Sequence, residues 1–207
     1  LLEMARLAPV IPVIVIDDLA QAEPLARAVV SGGLPVLEVT LRTPAALPAI
    51  REMSRVPNAI VGAGTVLRAE QVNAEQQAGG LFAVSPGSTE TLMTRCEETE
   101  LPLLPGAATA TEAMRLLERG YAMQKFFPAE ASGGAAALGS FASPLPQIHF
   151  CPTGGVGAGN ALDYLRLSNV VCVGGSWVAP KKLVETGDWD GISALAAEAV
   201  QPLSAVA

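Results

Sequence analysis

The sequence predicts a closed (β/α)8 barrel, a TIM barrel, in a single domain spanning residues 1–207, on three observations. Eight short runs rich in Val, Ile, Leu and Phe recur along the chain. Their starts lie 26, 23, 22, 21, 20, 26 and 22 residues apart, the length of one strand, one helix and two loops. The runs are almost continuously apolar, as parallel strands covered on both faces must be. Eight such strands joined by right-handed crossovers close on themselves. An open doubly wound sheet is the alternative, which the even spacing of eight units disfavours.

The strand-like runs begin at Val10 (VIPVIVI), Val36 (VLEVTL), Ala59 (AIVGAG), Leu81 (LFAVS), Pro102 (PLLPG), Ala122 (AMQKFF), Ile148 (IHFCPTGG) and Val170 (VVCVGGS). Helix signals fill the gaps. Asp17-Asp18 precedes LAQAEPLARAVV as an acidic cap, and Gly32-Gly33 stops that helix. Pro44 is expected to start the next one. Thr109 or Thr111 caps ATEAMRLLERG, which ends at Gly120. SPG (Ser85 to Gly87) and LPG (Leu104 to Gly106) read as turns at the rim. No linker, charge block or low-complexity segment marks a second domain.

Composition excludes several function classes. Thirteen Lys and Arg against 20 Asp and Glu give a net charge of -7, and nucleic-acid or anionic-membrane binding needs a basic face. An anionic small molecule needs only one local positive site. Cys96, Cys151 and Cys172 are odd in number and far apart, so neither a disulfide framework nor a structural zinc is expected, and a reducing cytoplasm is. Glu3 and Arg6 interrupt any early signal core, and a few residues before Leu1 are expected to be missing. The uncharged-looking stretch from Ala131 to Leu162 is broken by Gly, Pro and Ser throughout, so no membrane span is expected. One histidine, His149, supplies no metal cluster, and it reads as a hydrogen-bonded strand residue. There is no nucleophile elbow, P-loop or dinucleotide fingerprint; GVGAGN at Gly155 to Asn160 follows the wrong strand. Neither a metal nor a cofactor is expected.

The chemistry must then rest on an amine. Of three lysines, Lys181 and Lys182 follow a Pro in a late loop and read as solvent-facing. Lys125 sits inside AMQKFF, where alternation sets Met123, Lys125 and Phe127 on one face and Gln124 and Phe126 on the other. A neutral amine in such a setting is the nucleophile that Schiff-base chemistry requires. A structural Lys paired with a carboxylate is the competing reading. The ten other basic side chains are all Arg, which weakens it.

The second run, VLEVTLRT, places Glu38, Thr40 and Arg42 on one face. An acid inside an apolar strand is costly unless it is paired or moves protons. Arg42, nearer the C-terminal mouth, can fork onto a substrate carboxylate. A Glu–Arg or Glu–Lys ion pair without catalytic part is the alternative. The seventh and eighth runs end in CPTGGVG and VGGSWVAP. Glycines let a ligand approach the backbone closely, and barrels often grip phosphate after these two strands. Thr153, Gly154, Gly155, Gly174, Gly175 and Ser176 are thus candidates for such a grip, and Thr65 in GAGTV offers a polar group at the third strand's mouth.

Taken in order, IPVIVIDD, GGLPVLEVTLRTP, VGAGTV, SPG, LPG, KFFPAE, CPTGG and GGSWVAP closely resemble the bacterial 2-keto-3-deoxy-6-phosphogluconate and 4-hydroxy-2-oxoglutarate aldolases, from about Ile11 to Trp189. The resemblance implies a cytoplasmic homotrimer acting on a small keto acid through a class I mechanism. It implies that Lys125 forms the Schiff base with pyruvate and that Glu38 shuttles protons. Arg42 and Thr65 would hold the pyruvate carboxylate, Thr153 the aldehyde portion, and Gly154, Gly155, Gly175 and Ser176 the phosphate. YAMQ before the lysine departs from the family pattern, but Gln124 should point away from the site. Two enzyme alternatives stay open: an aldolase for the 6-phosphogalactonate isomer, and a phosphate-binding isomerase or synthase with no covalent step. A catalytically silent binding protein is the third, against which the Lys125, Glu38 and Arg42 set speaks.

Overall fold

In a computed structural model, which describes residues 1–201, all eight apolar runs become strands. The last six positions of the expected domain lie outside the described residues. The strands are β1 Val10–Ile14, β2 Val36–Thr40, β3 Ile60–Gly64, β4 Ala83–Val84, β5 Leu103–Leu104, β6 Gly106–Ala107, β7 Met123–Phe126, β8 His149–Pro152 and β9 Val173–Gly175. The helices are α1 Leu2–Ala5, α2 Ala22–Ser31, α3 Ala46–Met53, α4 Ala69–Ala78, α5 Glu90–Glu98, α6 Ala110–Glu118, α7 Gly134–Ser140, α8 Ala161–Leu165, α9 Lys181–Thr186 and α10 Trp189–Val200. Every paired strand is parallel. The fold is therefore α/β with a curled parallel sheet.

The ladder divides where one continuous ring was expected. Six strands run in the order β5-β4-β3-β2-β1-β9, and three in the order β6-β7-β8. The reason is Pro105, which has no N–H to donate and sits inside the fifth apolar run. Its two halves choose different neighbours: Leu103 and Leu104 pair with β4, while Gly106 and Ala107 pair with β7. The Pro105 carbonyl still accepts from the Lys125 N–H at 2.8 Å. LPG thus links two extended segments, β5 and β6, rather than forming the turn expected. At the other seam, an isolated bridge joins Thr153 to Gly174.

Alternation sorts the strand side chains into two cores. Outward-facing residues such as Ile14, Leu37, Val39 and Phe126 pack against the helices. Inward, Ile11, Val36, Phe82, Leu104, Met123, Cys151 and Cys172 form a smaller apolar cluster. One step toward the strands' C-terminal ends, the same inner face carries Val13, Glu38, Lys125 and Thr153. A polar layer therefore sits on an apolar floor.

Most of the helix signals coincide with helix ends. Gly33, at φ 96, follows α2, and Gly32 lets α10 approach, since a Cβ there would meet the Ala196 methyl at 2.5 Å. Asp18 caps a 3-10 turn at Leu19–Gln21, not an α-helix, by accepting from Ala20 N–H; Asp17 instead pairs with Lys181. Pro44 precedes α3 by two residues rather than starting it. His149 donates its backbone N–H to the Ala122 carbonyl. Among the described residues no helix is long and apolar enough to cross a membrane. Thr109, not Thr111, caps α6, in a reciprocal box with Glu112. Thr109→Ala should cost about 1 kcal/mol and lower Tm by about 2–4 °C in a thermal melt, whereas Thr111→Ala should not lower it.

Candidate active site

Lys125 and Glu38, 87 positions apart, meet on the inner face: Nζ lies 3.2 Å from Oε1, with the side chains 6% and 3% exposed. Their strands set the geometry. Lys125 is in register with Gly106 and Cys151, and Glu38 with Val13 and Gly62. A glycine clears the space beside Glu38. A Cβ on Gly64 would sit 2.2 Å from Glu38 Oε1, so the carboxylate rests directly against the β3 backbone. The Phe127 ring lies 5.4 Å from the ammonium, within cation–π range. Lys181 and Lys182 are exposed; Lys181 pairs with Asp17 at 3.2 Å and Glu185 at 3.7 Å.

The other expected residues fall into two groups. Arg42 lies just past β2 and donates from Nε to Thr65 Oγ1 at 3.4 Å, a long contact that leaves the guanidinium exposed. Thr65 holds φ at 58, a conformation uncommon for a β-branched residue and a mark of strain stored near a site. Thr40, between Glu38 and Arg42, is committed to the Ile14 carbonyl at 3.0 Å. Thr153 is buried over Gly174, where a Cβ would come 2.2 Å from Thr153 Oγ1. Its hydroxyl makes only a 3.4 Å contact with the Cys151 carbonyl and a 3.9 Å contact with Cys151 Sγ.

The glycines prove to have internal reasons as well. Gly154 and Gly155 both hold positive φ, 98 and 80. A Cβ would press on the Phe127 ring at the first and on Glu130 Cγ, at 2.5 Å, at the second. At Gly175 it would enter the Trp177 ring. Ser176 is exposed and lines a cavity of about 460 Å³ with Val13, Val15, Asp17, Trp177 and Lys181. Its wall reaches Val13, the register partner of Glu38, but not Lys125 or Glu38. The cavity lies beside the buried pair, not over it.

Gln124 points outward as expected, donating to the carbonyls of Ala113 and Tyr121. Glu75 was missed. It is fully buried on α4, and its spacing of three from Val72 and from Ala78 was the available signal.

A buried ion pair stripped of one partner leaves an uncompensated charge. Lys125→Met and Glu38→Leu should each lose about 3–5 kcal/mol of stability in denaturant unfolding. The double variant should lose less than their sum, by more than about 1 kcal/mol.

Comparison with known proteins bears on this geometry. The KHG/KDPG aldolase of Escherichia coli K12 is 51% identical over 194 residues, covering 93% of this chain and 91% of that one. The KDPG aldolase structure from Legionella pneumophila, with pyruvate captured at low pH as a covalent carbinolamine intermediate, is similar with a TM-score of 0.93. It is 44% identical, with 96% of this chain and 97% of that chain covered. A native KDPGal structure is more distant: 27% identity, TM-score 0.78, covering 93% of this chain and 96% of that chain. The family described as KDPG and KHG aldolase matches residues 1–195; a chain that shares half its residues with a named member over nearly its whole length, and carries an inner-face lysine against a glutamate, belongs to that family of carbon–carbon lyases.

Proposed function

We propose that this chain cleaves 2-keto-3-deoxy-6-phosphogluconate to pyruvate and glyceraldehyde 3-phosphate, and 4-hydroxy-2-oxoglutarate to pyruvate and glyoxylate, through a Schiff base on Lys125. The observation that carries the reading is the buried contact between Lys125 Nζ and Glu38 Oε1. It puts a nucleophile and a proton carrier within one hydrogen bond, the arrangement covalent catalysis needs.

The steps follow from the chemistry. Lys125 passes a proton to Glu38, and its neutral amine adds to the keto carbon; Glu38 then gives that proton to the carbinolamine hydroxyl, which leaves as water to give a protonated imine. Glu38 takes the proton of the hydroxyl two carbons away. The bond joining that hydroxyl-bearing carbon to the carbon next to the imine breaks, its electrons pass into the imine as an enamine, and the aldehyde leaves. Glu38 returns the proton to the enamine carbon, and water hydrolyses the imine to release pyruvate and the amine.

Binding roles are proposed to match. Arg42, with Thr65 beside it, faces the mouth and would hold the pyruvate carboxylate by a charge-assisted bond. Thr153, whose hydroxyl is only weakly engaged, would contact the aldehyde portion. Gly154, Gly155 and Gly175 with Ser176 would take the phosphate, with the cavity beside Ser176 as room for it. The greater distance of the KDPGal structure, together with the weakly engaged Thr153 hydroxyl, favours the gluconate over the galactonate isomer.

The finer architecture is part of the same proposal. Segment 103–107 is shared between the two sheets, and the Thr153–Gly174 bridge spans the other seam. Both support one closed (β/α)8 ring, in one domain. A homotrimer rests on the family resemblance and is checked by sedimentation. The three buried free thiols fit a cytoplasmic setting.

Pyruvate with borohydride should label Lys125 in a peptide map and leave Lys181 and Lys182 unmodified. Lys125→Arg should abolish labelling, because a guanidinium stays protonated. Label on either exposed lysine, or none, would overturn the Schiff-base reading.

Glu38→Gln keeps the shape and removes the titrating proton. Turnover should fall by about 10²–10⁴-fold, and exchange of the pyruvate methyl protons with deuterated water should fall in parallel. Near-normal exchange would reduce Glu38 to a structural partner.

A further inference from the structure

Among the described residues Glu75 is the buried carboxylate that this chemistry leaves idle. It sits on the inner face of α4 between Val72 and Ala78 with no exposure. One oxygen, Oε1, accepts from the Ala63 N–H of β3 at 2.6 Å. The other, Oε2, is buried with no partner. Gly80 makes room for it: a Cβ there would lie 2.4 Å from Glu75 Cγ. A buried acid satisfied on one side only is costly to keep. Its place suggests what it does.

The Ala63 N–H is shared. It also donates to the Phe82 carbonyl, at 3.1 Å, in the ladder between β3 and β4. The next residue is Gly64, the seat of Glu38, and the one after is Thr65, which accepts from Arg42. One backbone group thus lies between Glu75 and two charged side chains, Glu38 of β2 and Arg42 just past it.

We propose that Glu75 is a positioning residue for the aldol reaction: through the Ala63 N–H it fixes where β3 holds Gly64 and Thr65, and so the seat of Glu38 and the anchor of Arg42. The proposal rests on the roles given above to Lys125 and Glu38.

Charge decides how hard Glu75 pulls. As a neutral acid it is a weak acceptor, and Ala63 stays shared with Phe82. Ionised, it accepts about twice as strongly and at shorter range, drawing Ala63 toward the helix and out of the ladder. Burial pushes the Glu75 carboxyl up to about 8, with the Ala63 bond opposing. The stabilising effect of its proton is therefore complete below the ordinary carboxylate range and is lost as pH rises through about 8.

Few other groups face it. On α5 the Cys96 thiol is pushed up to about 11 by burial first and then by Glu75 and Glu97. Arg95 is turned onto Asn73 and Glu98, and Glu97 is bound to Arg119. On α3, Arg51 is exposed, and Arg55, two residues past its end, is exposed on Glu52. From β3 it meets the backbone.

The test compares kcat at pH 9 with kcat at pH 7 for the unaltered protein and for Glu75→Gln, which keeps an acceptor oxygen and cannot ionise. The unaltered protein should lose about tenfold across this range, with KM for the keto acid rising as Arg42 loses its anchor. Glu75→Gln should lose less than about twofold. Circular dichroism at both pH values monitors the fold. Equal pH profiles in the two proteins would overturn the proposal, as would loss of fold in the unaltered protein over the same range. Borohydride trapping of pyruvate at pH 7 separates the two readings. Label on Lys125 with equal profiles refutes the positioning role alone, whereas no label in the unaltered protein refutes the Schiff-base reading on which it stands.

Discussion

A lysine and a glutamate cannot be buried together unless everything around them is arranged for it. The Lys125–Glu38 contact brings two charges out of water, a step that costs several kcal/mol per ion unless geometry returns it. Much of the inner face answers this one requirement. Below the pair lies an apolar floor in which Ile11, Val36, Met123 and Cys151 exclude water. Beside it, β3 contributes Gly64, so that backbone and not side chain meets the carboxylate, while Gly62 makes room for Phe82. Strand register then does the rest, bringing Glu38 level with Val13 and Gly62, and Lys125 level with Gly106 and Cys151.

Because the pair sits on the fixed part of the fold, substrate specificity must come from its surroundings. Arg42 and Ser176 lie beyond strand ends and are exposed; Thr153, Gly154 and Gly155 follow β8 directly. The cavity next to Ser176 has a different character from the pair: Val13, Val15 and Trp177 give it an apolar wall, and Asp17 and Lys181 occupy each other at its edge. A rigid polar centre with loop-borne walls is the division of labour expected where one chemistry serves several related keto acids.

Much of this was legible in the sequence because strand alternation is a strict rule. Counting by twos put Glu38 and Lys125 on inner faces and turned Gln124 outward, and the structure agrees on all three. What escaped depended on partners distant in sequence. Nothing local says that Pro105 joins two strand segments, because a Pro between two Leu and a Gly reads as a turn until β4 and β7 are seen on either side. Asp17 and Asp18 look alike in sequence, yet one caps and the other reaches Lys181, 164 positions away. Glycines 154, 155 and 175 suggested space for a ligand, but Phe127, Glu130 and Trp177 already claim the volume a Cβ would fill. Glu75 hid inside a helix whose exposed Gln and Glu residues made one more acid unremarkable.

The position of β1 has a further consequence, for synthesis. It pairs with β2, some 25 residues downstream, on one side, and on the other with β9, where Val10 meets Val173. Likewise α2 closes on α10 through Gly32. At about 5–20 residues per second, the ribosome takes roughly ten to thirty seconds to deliver that second neighbour. Through this interval β1 presents an open apolar edge, the kind that captures strands of other chains. Any stall between the synthesis of β2 and that of β9 prolongs this exposure.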